Sequence, residues 1–506
     1  MTTTHIPAIS RHSAVRSANQ LRQAWGSVSL ALVFLFLCMV NLAAAAQFGD
    51  FSYELSQDQS SVTITGYTGT ATDVVIPSSI PIEVEGVTVD KPVAAIGAVS
   101  FIFNGSIAKV TIPSGVTTLG SGAFAFCSSL TTVTISGGLN TIEMQAFFNC
   151  TELLAVEFPA SLKNIGDYAF NSCKKLNIAT IPVGLETLGA GAFYDCPQIS
   201  TLEILAPITS IGINTFAQCT GLQSVTLPPN LQQIGDNAFL NCTGLTTISI
   251  PETVNSIGEA AFFGCSGLGS LVIPAGVTSV SRGAFYGCSG LTGVTFLSTL
   301  TSIGVDAFRN CSGLTSVTFP PAVNSIGDKA FSGCSTLLYA NFNGDAPATM
   351  GSAVFEVNAP GFMVYYSSSS SGFTSPLWLG YPAFLVGSGV APVTSWLISH
   401  GLPTNSDLQS DANGDGVNLL MAYALNLNPD QNLSASTPRP VVSASQLSLS
   451  FFAGSSGVTY GVEVSTDLVH WSANGVSSSD IGQIRTATVT VNPTSGGLFM
   501  RLAVSH

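Results

Sequence analysis

The sequence predicts a repeat solenoid. Coils of 23 residues share a parallel β ladder with short turns or helices, and a small helix-loop-helix segment and a β-sandwich-like domain follow. Three observations carry the prediction. Cysteines stand at 127, 150, 173, 196, 219, 242, 265, 288, 311 and 334, and every gap is 23. A phenylalanine stands three residues before each of them, from Phe124 to Phe331. A short alternating run follows each cysteine, as in Ser316-Val317-Thr318-Phe319-Pro320. One such unit cannot bury its apolar face alone, so neighbouring units must share a continuous core.

The elements follow in chain order. Residues 1–46 read as an export signal. Arg11, Arg16 and Arg22 precede an apolar run from Val28 to Val40, and small residues lead to a cleavage point after Ala46. The competing reading is an uncleaved anchor, because the basic stretch is long. Cleavage leaves 11 bases against 28 acids, a formal charge of −17. Only 8% of the 506 residues are charged and 46% are apolar, which excludes a disordered chain. The scattered bases offer no stripe to neutralise phosphates, so nucleic acid is excluded as a partner. After signal cleavage no apolar segment is long enough to span a membrane.

Residues 47–384 form the solenoid with its caps. Val317-Thr318-Phe319 alternates as a half-buried strand, and Pro320 ends it because proline cannot donate to a ladder. Ser325-Ile326-Gly327-Asp328-Lys329-Ala330-Phe331 reads as a turn and one helical turn, with Gly327 at positive φ and Asp328 capping the N–H groups after it. The pattern Leu-x-x-Val-x-Ile-Pro, then Ile-Gly-x-x-Ala-Phe-x-x-Cys, resembles the leucine-rich repeats of BspA-like surface proteins over roughly residues 60–345. Val62 to Gly69 with Val74 to Pro77 looks like an N-terminal cap of that family. Met350 to Phe355 reads as a slipped last coil, and Gly372 to Trp378 as a C-terminal cap. The resemblance implies an exported surface protein that binds host or matrix proteins or glycans.

The ten cysteines of an exported chain invite a disulfide reading. Equivalent residues in stacked coils have parallel Cβ vectors about 4.8 Å apart, too far for good disulfide geometry. A ladder of buried free thiols is therefore expected. Asn149, Asn241 and Asn310 complete glycosylation sequons, which the repeat itself generates by placing a turn asparagine before each of these cysteines.

The outward column of the strand ladder holds the ligand-face candidates Glu157, Thr180, Glu203, Thr226, Ser249, Thr295 and Thr318, and a second column runs from Thr132 through Ile178 to Ser316 and Tyr339. This flat Ser/Thr face suits a repetitive polymer or weak multivalent contact, or is a plain solvated sheet. Glu157 and Glu203, two coils apart, would lie about 9.6 Å apart at the backbone, near the upper limit for an inverting glycosidase. Two ordinary exposed carboxylates are the simpler reading. No metalloprotease, serine-hydrolase, phosphate-loop or dinucleotide motif occurs.

Residues 385–395 read as a linker, and 396–430 as a calcium-binding helix-loop-helix segment. Asp411-Ala412-Asn413-Gly414-Asp415-Gly416-Val417 resembles the calcium loops of dockerin-like and EF-hand-like modules. The resemblance implies side-chain ligands from Asp411, Asn413 and Asp415 and a carbonyl ligand from Val417. Position 12 departs from the pattern, being Ala422 in place of an acid; a metal-free Asx turn is the alternative. Residues 438–506 hold four alternating runs, at 446–452, 458–464, 486–491 and 498–504, which predict a small β-sandwich with Trp471 in its core. Ser465 to Trp471 with Phe499 to Leu502 looks like the C-terminal modules of many exported proteins of environmental bacteria.

The whole reads as an exported, non-enzymatic binding or adhesion scaffold presenting its Ser/Thr face to an extracellular protein or polysaccharide. The alternatives are a structural envelope component without a discrete ligand and a glycan-active enzyme.

Overall fold

Each coil has three sides, and each side is hydrogen-bonded along the stack in its own way. The computed structural model describes residues 46–506 apart from 387, 389, 391, 401, 403, 405, 412–414, 416, 430, 432, 434–435, 443–445, 482, 491–497 and 506. The export signal, up to residue 45, lies outside the described residues. The solenoid makes about 13 turns of ~23 residues.

The first side is the expected parallel ladder. Ser316–Phe319 pairs with Tyr339–Phe342, which pairs with Met363–Tyr366, in register one coil apart. The second side was not expected. The Ser-Ile pair before the repeat glycine is a two-residue strand, and Ser279–Val280, Ser302–Ile303, Ser325–Ile326 and Thr349–Met350 pair in parallel. Thr349 stands 24 residues after Ser325, so the slipped last coil keeps register by absorbing one residue.

The third side replaces the expected helical turn. Its backbone enters the left-handed region twice per coil, with φ 57 at Asp306 and 61 at Asn310. Alternate N–H groups therefore point along the stack: Asp306, Phe308 and Asn310 donate to the carbonyls of Asp328, Ala330 and Ser332 at 2.8–2.9 Å. The intervening N–H groups of Ala307, Arg309 and Cys311 close turns within the coil at 3.2–3.3 Å. A helix would direct every bond within its own coil and leave the coils unlinked on this side. The sequon asparagines Asn149, Asn241 and Asn310 all occupy this left-handed position, which asparagine tolerates well.

Two local expectations change accordingly. The left-handed residue after Ile326 is Lys329, at φ 56, and not Gly327. Gly327 is small because its coil lies against the previous one: a Cβ there would stand 2.5 Å from the Val305 nitrogen. Asp328 caps the next coil and not its own, accepting from the Ser352 N–H at 2.7 Å.

The core is a pile of aromatic rings beside a pile of thiols. From Phe101 to Phe355 the rings stack with centroids 4.8–5.8 Å apart. All ten cysteines from Cys127 to Cys334 are buried and free. Each Sγ–H donates to the phenylalanine carbonyl of the coil before it at 3.1–3.2 Å, as Cys150 does to Phe124. Burial pushes every thiol up, to about 12 for Cys127, Cys219, Cys288 and Cys334.

The solenoid ends are closed. Ala46–Phe48, Phe51–Leu55 and Val62–Tyr67 pair antiparallel across the first coil. A hairpin, Ser79–Val84 with Val87–Ile96, projects from it through a turn in which Glu85 and Gly86 both have positive φ. At the other end Tyr381–Leu385 adds in parallel to Met363–Tyr366, and Leu377–Trp378 folds back on it with Trp378 buried.

Helix α1 (Pro392–Ser399) starts inside the expected linker and docks on the last coils, where the Ser395 hydroxyl donates to the Phe362 carbonyl at 3.1 Å. Helix α2 (Leu419–Ala424) is capped by Asn418, whose side chain accepts from the Met421 N–H. The C-terminal domain holds two antiparallel sheets. One orders Val441–Val442, Gln446–Phe452, Ile484–Thr490 and Ser477–Ile481; the other pairs Thr459–Ser465 with Phe499–Ser505. Leu447, Leu449, Phe451, Val462, Val464, Ala487, Val489 and Met500 form their shared core. Trp471 is not in it. The indole is half-buried at the surface under the Arg501 guanidinium, 4.2 Å from its centroid, while Arg501 also pairs with Glu463.

Candidate functional site

The strand face carries the expected polar columns, with one inversion. Glu157, Thr180, Glu203, Thr226, Ser249, Thr295 and Thr318 are all exposed. Ile178, placed outward by the period, is buried, and Ala179 is exposed in its place. An isoleucine gains more from the core than an alanine, and turning one residue in reverses its neighbour. The coil consequently pairs only from Thr180–Ile181 onward, and the ladder is interrupted between it and Ala155–Val156. Glu157 and Glu203 fall on opposite sides of this interruption, so no hydrogen-bonded column links them.

Near its C-terminal end the face becomes one wall of a cleft of about 360 Å³. Thr315, Ser316, Leu338 and Tyr339 come from two adjacent coils, and Gly454, Ser456 and Gln483 from loops of the C-terminal domain; Thr336 and Ala359 complete the lining. The Gln483 amide ties the two parts together, its Nε2 donating to the Ser335 carbonyl at 2.9 Å. The opposite wall is held from behind. The Tyr423 hydroxyl donates to the Ser456 carbonyl at 2.7 Å. The Ser455 hydroxyl and the Tyr460 hydroxyl cap the C-terminal carbonyls of α2, each with a bond of 2.7 Å. Burial, and then the neighbouring Tyr460 and Tyr339 phenols, hold the Tyr423 hydroxyl well above its ordinary range, so it stays a donor. Sequence reading missed this cleft because Tyr339 and Gln483 are 144 residues apart in the chain.

The loop read for calcium is described in part. Asn413 lies outside the described residues. Asp411 Oδ1 accepts from the Asp415 N–H at 3.1 Å. Asp415 accepts from Val417 through Oδ1 at 2.8 Å and from Leu433 through Oδ2 at 2.5 Å. Ala422, at the position that calls for a bidentate acid, is buried in α2. Among the described residues these carboxylates accept from backbone N–H groups, as in an Asx turn. Among the described residues no three His, Cys, Asp or Glu side chains form a metal-holding group.

Together the ladder, the stacked core and the polar strand face define a leucine-rich-repeat solenoid. The family model for the BspA type leucine rich repeat region matches residues 94–223, 141–268 and 209–338. Among solved structures, a leucine-rich repeat protein from Bacteroides ovatus is 24% identical, covering 64% of this chain and 94% of its own, with a TM-score of 0.46. A leucine rich cell surface protein from Faecalibacterium prausnitzii is 26% identical over 60% of this chain and 96% of its own, with a TM-score of 0.38. The leucine rich repeat protein of T. pallidum is 28% identical over 44% of this chain and 90% of its own, with a TM-score of 0.36. No curated protein matches the sequence.

Proposed function

We propose that the chain is an exported, non-enzymatic binding scaffold that presents its strand face to an extracellular protein or polysaccharide. The observation that carries this is the division of labour within the coil. Phe, Cys, Ile and Leu hold the stack together from inside, so the outward Thr and Ser side chains are not needed for folding and stand in an array one coil apart. The N-terminal signal pattern supports export, and no helix of the described residues is long and apolar enough to cross a membrane.

The test is capture of the exported chain on immobilised polysaccharides and matrix proteins. Thr226→Glu with Thr295→Glu places two carboxylates on the face and is expected to weaken capture about tenfold, with the melting temperature lowered by no more than a few degrees because Thr226 pairs directly with Glu203. Absence of capture on every surface favours the structural envelope reading in its place.

The loop at Asp411 is, in this proposal, a metal-free Asx turn. The melting temperature is then the same, within about 1 °C, in millimolar Ca²⁺ and in EDTA. A rise of several degrees with Ca²⁺ restores the calcium site at Asp411, Asn413, Asp415 and Val417.

A further inference from the structure

We infer that the cleft between the last strand-face coils and the C-terminal domain is a binding site for a neutral saccharide chain. The inference rests on the scaffold reading above and narrows it to one place and one ligand class. At about 360 Å³ the cleft falls within the ~300–1,000 Å³ range of small-ligand sites.

Its chemistry selects the ligand. None of its lining residues is Asp, Glu, Lys, Arg or His, so it offers no partner to a ligand charge. Its polar side chains are the hydroxyls of Thr315, Ser316, Thr336, Tyr339 and Ser456 and the amide of Gln483. Hydroxyls both donate and accept, which matches the two-way demand of sugar hydroxyls. Gln483, in the lining, commits its Nε2 to the Ser335 carbonyl, and an amide oxygen is an acceptor. The Tyr339 ring, 5.9 Å from Tyr365, gives the apolar surface that the C–H face of a pyranose needs. A peptide is a poorer match. Tyr339–Phe342 is paired on both sides, by Ser316–Phe319 and Met363–Tyr366, so the strand at this wall has no edge for an extended chain.

The site is also built in advance. A Cβ on Gly454 would stand 2.7 Å from Gln483 Nε2, so glycine is what admits the amide. Thr336 is fixed to the carbonyls of Ser312 and Leu314 at 2.7 and 2.9 Å. Such pre-ordering lowers the entropy lost on binding.

The experiment is calorimetric titration of the exported full chain with cellohexaose, laminarihexaose, xylohexaose and mannohexaose, with an oligogalacturonate and gelatin as the charged and protein comparisons. At least one neutral hexasaccharide is expected to bind. Tyr339→Ala and Gln483→Leu are each expected to weaken it about tenfold, and Glu252→Ala, in an exposed turn off the strand face, by less than about twofold. If Tyr339→Ala does not fold, Gln483→Leu and Tyr339→Phe carry the comparison. Neutral sugar binding that survives the cleft variants but is lost in Thr226→Glu with Thr295→Glu overturns the cleft and leaves the scaffold reading standing. Binding of gelatin or oligogalacturonate alone overturns the saccharide assignment. No binding by any probe overturns the saccharide site and counts against the scaffold as well.

Discussion

Raising the pH above 9 is expected to unfold the solenoid steeply, with its thiolates appearing together. The cause is the cysteine ladder. In the unfolded chain a thiol ionises near 9.0, whereas burial pushes Cys127, Cys219, Cys288 and Cys334 to about 12 and the other six well above the ordinary value. A raised folded value means the stability is fully present below pH 9 and declines as the pH rises toward 12. Each thiol removes up to about 1.4 kcal/mol per pH unit in that window. Four thiols alone then remove about 5 kcal/mol per unit, against a total of ~5–15 kcal/mol for an ordinary domain. Far-ultraviolet circular dichroism and thiolate absorbance followed together check this. Coincident transitions between about pH 10 and 11 are expected. Thiolates that titrate near pH 9 while the dichroism holds steady, or fewer than ten thiols labelled in denaturant, would contradict a buried free ladder.

The period made the stack legible, because every coil must put the same residue types in the core. Phe124 to Phe331 and Cys127 to Cys334 are buried as their register requires. What the period did not reveal was backbone conformation. Ser325-Ile326-Gly327-Asp328-Lys329-Ala330-Phe331 has the local composition of a helix start, and single-chain propensity favours that reading. In the stack, the N–H groups gain partners in the neighbouring coil, and left-handed turns at Lys329 and Asn310 aim them there. Ile178 is a second case: it breaks the outward column because its own apolar surface outweighs register. The hairpin at Ser79–Ile96 did leave a signal, a Glu85-Gly86 turn between alternating residues, which lies outside the 23-residue period. The strand face was legible residue by residue, but its cleft was not. Gln483 and Tyr339 meet only because α1 and α2 bring the C-terminal domain back onto the last coils.

Phe239→Ala is expected to cut the stack in two. Phe239 is fully buried in mid-array, with the rings of Phe216 and Phe262 stacked at 5.6 and 5.3 Å on either side. Truncating a buried phenylalanine costs about 3–5 kcal/mol in a core that cannot collapse onto the gap. Collapse is hindered here, because the backbone on both sides is pinned: Phe239 N–H donates to Ala261 at 2.8 Å and Phe216 N–H to Ala238 at 2.9 Å. The loss also falls on the contacts between coils, and a linear array is stabilised by coil terms plus nearest-neighbour interface terms. One defect in the middle weakens two interfaces at once and uncouples the coils before it from those after it. Denaturant titration should therefore show a single transition for the native chain and two for Phe239→Ala, the earlier one displaced to lower denaturant. Phe239→Leu retains most of the volume and both interfaces, and should cost about half as much while keeping one transition. A single unshifted transition for Phe239→Ala would mean that the ladders on the three sides, and not the ring stack, couple the coils.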